Sequence, residues 1–247
     1  SHSIAAVIVP SSDPHLSEYL PERWQGREWL SGFTGSVGTL VVTEDFAGVW
    51  ADSRYWTQAE GQLSGTGIEL MKIGGAGSSA HLDWLAKHVV RGAQVAVDGA
   101  VLGLEGARAL QSALSERSIE LRTDLDLLED VWDGRAALPA QPVYEHLAPF
   151  AATPRADKLA AVRQQMKQYG ASHHWISTLD DIAWLTNLRG ADVSYNPVFI
   201  AHLLLDAKSA TLFVAEGKVS AKLASRLAAD GIALAPYDHA AAALKAL

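Results

Sequence analysis

Hydrophobic positions along this chain switch repeatedly between a period near two and a period near 3.6, and each switch marks an element. Ala5–Val9 is short, apolar and β-branched, which predicts a buried strand. Pro21–Leu30 carries Trp24, Trp29 and Leu30 at helical spacing and stops before Gly32. Val37–Thr43 and Ala47–Ala51 flank Glu44-Asp45-Phe46 and predict a hairpin. Ser53–Leu63 reads as a helix with Ser53 as its N-cap, followed by a strand at Ile68–Ile73. A helix over His81–Val90, a strand over Gln94–Val97, a helix over Leu104–Ser115 and a strand over Ile119–Leu121 continue the alternation. Single strands alternating with helices predict an α/β layered fold, and the hairpin makes its sheet mixed.

The pattern then breaks. Pro139, Pro142, Pro149 and Pro154 crowd a short stretch after Trp132, and proline both lacks an amide donor and drives its predecessor toward extended geometry. The stretch reads as a Pro-rich linker over 134–153 between a domain at 1–133 and a second at 154–247. The second opens with Arg155–Tyr169, an amphipathic helix with Leu159, Val162, Met166 and Tyr169 on one face. A strand at His174–Ser177, a short helix at Asp180–Leu188 and a hairpin of Val198–Leu205 with Ala210–Val214 follow. Ser220–Ala229 is a helix capped by Ser220, Ile232–Ala235 is a strand, and Ala240–Leu247 begins a helix. Both halves share one order: strand, Asp-containing turn, Trp-Leu helix, Gly-rich loop, hairpin, helix, strand. That is a degenerate repeat, and it predicts two domains of one fold type, the second truncated.

Composition narrows the function. Apolar residues make up 49% and charged residues 19% of 247, enough for a folded core. A net charge of −8, spread without blocks, argues against nucleic acid as a partner. Zero cysteines remove disulfides, thiolate metal sites and a cysteine nucleophile. The apolar runs Ile4–Val9 and Val198–Leu205 are too short to span a bilayer, so no membrane partner is expected. No secretory signal is visible, and Ser1-His2-Ser3 reads as a leftover of expression.

Familiar catalytic motifs are missing. There is no His-Glu-x-x-His. Thr34 breaks the Gly-x-Ser-x-Gly pattern around Ser36, so that loop reads as a tight turn leading into a strand. Gly74-Gly75-Ala76-Gly77 lacks the Lys-Ser/Thr of a phosphate loop and reads as a mobile connector. His173 and His174 are adjacent in a strand and point to opposite faces, while His81 and His88 are seven apart near one helix face with no carboxylate joining them in sequence. Neither catalytic residues nor metal ligands are expected in this chain.

Two stretches place polar groups among apolar ones. The first is Pro10–Glu22, with Ser11, Ser12, Asp13, His15, Ser17 and Glu18. In the second, Leu179–Phe199, Asp180 and Asp181 are expected to cap a helix whose Trp184 and Leu185 pack inward. The chain then turns at Gly190 and brings Arg189, Asp192 and Asn196 into one loop. The plain reading of that loop is helix capping with a structural Arg189–Asp192 bridge.

At these residues the chain resembles the three-domain Xaa-Pro aminopeptidases. Ser11-Ser12-Asp13-Pro14-His15-Leu16-Ser17-Glu18-Tyr19, Gly32-Phe33-Thr34-Gly35-Ser36 and Asp52-Ser53-Arg54-Tyr55-Trp56 are similar to their first domain. Asp180–Gly190 with Tyr195-Asn196-Pro197-Val198-Phe199 is similar to their second. Val131-Trp132, Arg135, Pro139 and Pro142-Val143 match the junction.

The resemblance implies two tandem creatinase/prolidase N-terminal-type domains, each a mixed sheet flanked by helices. It also implies a further catalytic domain holding two divalent ions, usually manganese. The parent would be a cytoplasmic metallo-exopeptidase acting on peptides with proline at the second position, with a homodimer as a possible assembly. This chain, needing no cofactor of its own, would be inactive alone and would shape the substrate cleft and the assembly, with Asp181, Arg189 and Asn196 in that cleft meeting a peptide's amino terminus and carbonyls. The resemblance also implies an initial amphipathic helix before Ile4, where this sequence departs from the family's pattern. Two alternatives remain open: a noncatalytic creatinase-type module that binds peptides or proteins, and a prolidase-like dipeptidase.

Overall fold

The computed structural model describes residues 4–75 and 79–247. Ser1–Ser3 and the Ala76-Gly77 part of the expected connector lie outside the described residues. The chain forms two compact units, Ser1–Ala136 and Ala137–Leu247.

The first unit is built on a six-stranded sheet of β1 (Ile4–Pro10), β2 (Thr39–Thr43), β3 (Ala47–Asp52), β4 (Glu69–Ile73), β5 (Gln94–Val97) and β6 (Glu120–Arg122), in the order β4-β3-β2-β1-β5-β6. β2 runs antiparallel to both β1 and β3; the pairs β3–β4, β1–β5 and β5–β6 are parallel. Strand alternation sorts the side chains to two faces. Ala6, Ile8, Val41, Trp50, Val95 and Val97 face α3 (Ala80–His88) and α4 (Leu104–Ser115), which supply Leu82, Leu85, Leu110 and Leu114. Val9, Leu40, Val49 and Ala51 face α2 (Trp56–Leu63), which supplies Ala59 and Leu63, and the buried Phe33. Between β1 and β2 lies α1 (Gly26–Ser31), preceded by a 3-10 turn at Glu22–Trp24. The single helix expected over Pro21–Leu30 is therefore two pieces. Trp24 is buried; Trp29 is half exposed and stacks on Trp132 at 4.9 Å.

In the second unit β7 (Tyr144–Glu145) pairs with β9 (Leu188–Arg189), and a four-stranded sheet has the order β12-β11-β10-β8. Its strands are β8 (His173–Ile176), β10 (Ala201–Asp206), β11 (Ala210–Val214) and β12 (Ile232–Pro236). Helices α5 (Arg155–Gln168), α6 (Leu179–Thr186), α7 (Ala221–Ala229) and α8 (Ala240–Lys245) complete it. From β8 to β12 the polarities run antiparallel, antiparallel, parallel, as they do from β1 to β4. One helix follows the first strand and one joins the last two in each unit. The repeat read from the sequence is thus present in strand order and direction. Among the described residues the second sheet has no counterpart of β5 and β6.

Residues 137–153 are not a free tether. Val143 is buried and its amide donates to the Lys218 carbonyl at 2.9 Å. Glu145 receives the Arg155 guanidinium and Arg226, which ties β7 to α5 and α7. Proline kept this stretch from forming long elements, but its few free amides and Glu145 were enough to dock it on the second unit.

Local expectations shift in two other places and hold in a third. The α2 helix starts at Trp56 and Ser53 does not cap it: the Tyr55 amide that such a cap would take donates to the Asp52 carbonyl at 3.0 Å. Tyr169 lies past the end of α5 and is 84% exposed, off the buried face of Leu159 and Met166. Ser220 does cap α7, accepting from the Leu223 amide.

One pH effect follows from the first core. His81 sits edge-on to Trp50, and burial holds its pKa below the ordinary histidine value of 6.5. The folded state therefore takes up its proton at lower pH than the unfolded chain. The stabilisation from neutral His81 is complete above about pH 6.5 and is lost as pH falls below it. Between pH 7.5 and 5.5 the urea midpoint of the first unit should drop, and His81→Gln should flatten that drop. An unchanged pH slope in the variant would remove His81 from this role.

Candidate functional site

The loop that follows α6 is assembled from the helix end outward. α6 ends at Asn187, which adopts a left-handed conformation (φ 53°). Asn187 tolerates that geometry better than most residues because its short amide bonds locally. Its Nδ2 donates to the Thr153 carbonyl at 2.8 Å and its Oδ1 accepts from Lys158 Nζ at 2.7 Å. Lys158 Nζ also donates to the Trp184 carbonyl at 2.7 Å and lies 4.1 Å from the Trp184 ring centre. Burial, with the Arg189 charge beside it, holds the Lys158 ammonium below the usual lysine value.

Arg189 Nη1 donates to the carbonyls of Ala183 and Leu188 at 2.7 and 2.8 Å. A cation there satisfies a carbonyl of the helix's last turn and opposes its dipole. The expected Arg189–Asp192 bridge is not formed. Asp192 is buried and pairs with the wholly buried Lys218, whose Nζ also donates to the Pro139 carbonyl at 3.1 Å. Asp192 Oδ2 further accepts from the Ile200 amide at 2.7 Å, and Oδ1 has no partner among the described residues. Burial pushes the Lys218 ammonium below its ordinary value, against the pull of Asp192.

On this base the loop closes tightly. Gly190 donates to the Pro197 carbonyl and Asp192 to the Val198 carbonyl, while Val193 and Asn196 form a bridge. Gly190 is required, since a Cβ there would lie 2.6 Å from Phe199 Cβ. Tyr195 at the tip is fully exposed with φ 62°.

Of the three residues expected to meet a peptide, Arg189 is half-buried on helix carbonyls and Asn196 is half-buried in the loop. Asp181 is exposed in the first turn of α6, where the N-cap is Thr178 and no side chain caps the amides. No ion pair joins Asp181 to Arg189. Trp184 does not pack inward: it is 56% exposed and shields Lys158, while Leu185 is buried as expected. Sequence reasoning missed Lys158, Asn187 and Lys218, which stand 29 and 26 positions from their partners and carry no local signal.

The first unit has its own polar construction. Buried Arg27 donates from Nη1 to the Phe33 carbonyl at 2.6 Å, from Nη2 to the Gly35 carbonyl, and from Nε to Ser11 Oγ at 2.7 Å. Asp13 is wholly buried and its Oδ1 accepts from the amides of His15 and Ser17, both at 2.9 Å. Among the described residues no group of three or more His, Asp or Glu side chains could hold a metal ion. No helix among them is long and apolar enough to cross a membrane.

This doubled α/β unit is a known one. A family profile described as Creatinase/Prolidase N-terminal domain matches residues 1–128, and a second of the same description matches 134–247. The chain belongs to the creatinase/prolidase N-terminal domain family. Its relatives are Xaa-Pro aminopeptidases. It is 38% identical over 238 residues to aminopeptidase P2 of Arabidopsis thaliana, covering 95% of this chain and 33% of that protein. It is 35% identical over 245 residues to Xaa-Pro aminopeptidase 1 of Dictyostelium discoideum, covering 96% and 39%. The solved X-prolyl aminopeptidase of Caenorhabditis elegans, described as a cytosolic enzyme with a di-nuclear active site, superposes with a TM-score of 0.89. That match has 29% identity over 96% of this chain and 38% of that one. The chain thus spans between a third and two fifths of the length of these relatives.

Proposed function

We propose that this chain is the N-terminal, non-catalytic portion of a metal-dependent Xaa-Pro aminopeptidase. The observation that carries the reading is the superposition of both units, in order, on part of a solved X-prolyl aminopeptidase. In this reading the parent is cytoplasmic and removes the residue before a proline at position two. Its two divalent ions, manganese by resemblance, sit on a domain that follows this one and activate water there. In the same reading the contribution of this chain is to position peptide and exclude alternatives. Assembly into a homodimer belongs to the same proposal.

Within it, the α6–β10 loop is the cleft element. Asp181, exposed and without an ion pair among the described residues, offers its carboxylate to an amino terminus. Arg189 spends only Nη1 on protein carbonyls and keeps its other donors for a peptide carbonyl or carboxylate. Asn196 supplies an amide. The buried Lys218–Asp192 pair keeps the loop in one conformation, which lowers the ordering cost of binding.

The test is Arg189→Ala in the full-length enzyme. A charge-assisted hydrogen bond to substrate is worth about 1.5–3 kcal/mol, so kcat/KM on Xaa-Pro peptides should fall about ten- to a hundredfold. The isolated chain, assayed with and without manganese, should show no turnover. If Arg189 only caps α6, the variant will melt slightly earlier with normal kinetics, and the cleft assignment fails. Metal-dependent turnover that tracks the isolated chain would overturn the non-catalytic reading.

A further inference from the structure

The end of β3 carries a group that neither core nor cleft accounts for. Asp52, only 2% exposed, closes β3 and spends both oxygens on one residue. Arg54 donates to it from Nε at 2.9 Å, from Nη2 at 2.8 Å and from its backbone amide at 3.1 Å. This two-point grip orients the guanidinium plane, while the Arg54 side chain remains 61% exposed. Nη1 and the outer hydrogen of Nη2 have no partner among the described residues, and they form the second fork of the same plane. A lysine would neutralise Asp52 equally well, but only arginine leaves a pre-oriented fork behind.

The surroundings are equally rigid. Arg54 Cζ lies 5.2 Å from the Tyr55 ring centre, and the Tyr55 hydroxyl bonds Ser36 Oγ at 2.7 Å. One of those two hydroxyl protons is spent between them; the other is available to a ligand. The Thr34–Ser36 loop cannot drift. Gln58 and Gln62 both donate to Thr34 Oγ1 at 2.8 Å, and Arg27 grips the Phe33 and Gly35 carbonyls from beneath. Gly35 is wedged so closely that a Cβ would stand 2.3 Å from the Phe33 ring and 2.8 Å from Tyr55.

Fork geometry selects the ligand, and charge limits it. Arg54 feels Asp52, Tyr55 and Glu18. Two carboxylates around one guanidinium give a local formal charge of about −1, which disfavours a dianion such as phosphate more than a monoanion, so binding must come from the geometry of the free fork and not from net charge. A planar monoanion that fits a two-hydrogen fork is a carboxylate.

We propose that Arg54, clamped by Asp52 and flanked by Tyr55 and Ser36, is a carboxylate-binding site that takes the free C-terminal carboxylate of a short peptide. The choice of a peptide rests on the function proposed above; the carboxylate chemistry rests on the site alone. The adjacent hydroxyl then meets the peptide's last amide. Arg54 does not touch the bond to be cleaved, and so acts as an anchor.

The experiment needs no turnover, which separates its failure from that of the aminopeptidase reading. The 15N-labelled chain is titrated with Ala-Pro-Ala and with its C-terminal amide while the Arg54 Nε–H and Ser36 amide resonances are followed. The free acid should move both resonances saturably in the millimolar range. The amide should bind about tenfold or more weakly, and Arg54→Lys should weaken the acid by a similar factor while leaving the remaining spectrum in place. Inorganic phosphate should not compete. Equal binding of acid and amide, or undiminished binding by Arg54→Lys, would overturn the site. Acetate reproducing the shifts at the same concentration would overturn the peptide assignment. The acid–amide comparison uses the unaltered chain, so it stands whatever the variant does to folding.

Discussion

Lys218→Met should unfold the second unit more readily than any conservative surface change, lowering its stability by about 3–5 kcal/mol. The substitution leaves Asp192 buried with no counter-charge, one oxygen already unpartnered and the other holding only the Ile200 amide. It also removes the donor to the Pro139 carbonyl, and with it one hold on the docked segment. Against a typical domain stability of about 5–15 kcal/mol the loss is a large fraction. Urea denaturation reads the midpoint, and exchange of the Val198 and Ile200 amides reads the loop. Lys218→Met with Asp192→Leu should recover much of the loss, since removing both members of a buried pair is often near neutral. A single-variant cost below about 1 kcal/mol would show that water reaches the pair and that it does not hold the loop.

The second large effect lies in the first unit. Arg27→Met should cost about 3 kcal/mol or more, because two buried carbonyls, those of Phe33 and Gly35, lose their donor together. Burial lowers the Arg27 pKa to about 10, so the guanidinium remains charged at neutral pH, and its ring contact with Phe33 at 4.7 Å adds to the hold. Arg27→Lys should fall between the two, keeping the charge but reaching fewer acceptors than the three that the arginine spans. Chemical denaturation gives the stabilities, and near-ultraviolet dichroism of Tyr55 reports whether the Thr34–Ser36 loop has loosened. If Arg27→Met melts like the parent chain, the loop is held from its outer side by Gln58 and Gln62 alone.

Both predictions concern residues that the sequence did not single out, and the reason is the same in each. Arg27 and Phe33 are separated by a helix end, and Lys218 and Asp192 by a hairpin and a turn, so neither pairing has a fixed spacing to read. Arg189 shows the converse. Its neighbourhood in sequence pointed to Asp192, yet tertiary packing gave Asp192 to a buried lysine and left Arg189 to the carbonyls of α6. A surface bridge is worth at most about 1 kcal/mol, whereas an unpaired buried carboxylate costs several, so the distant lysine wins.

What was legible in the sequence is what depends on period and on local chemistry. The short apolar, β-branched run Ala5–Val9 marked β1, and the order of strands, helices and hairpins in both halves marked the repeat, while the two faces of β1 came from packing. Ser220 was readable as a cap because its partner is three residues away. The motif residues around Asp13, Gly35, Arg54 and Asn196 were readable as a family's. Only the tertiary structure decided that residues 137–153 dock on the second unit, that Trp184 faces out over Lys158, and which charges are buried together. Those outcomes turn on desolvation and on partners remote in sequence, and a one-dimensional pattern carries no record of either.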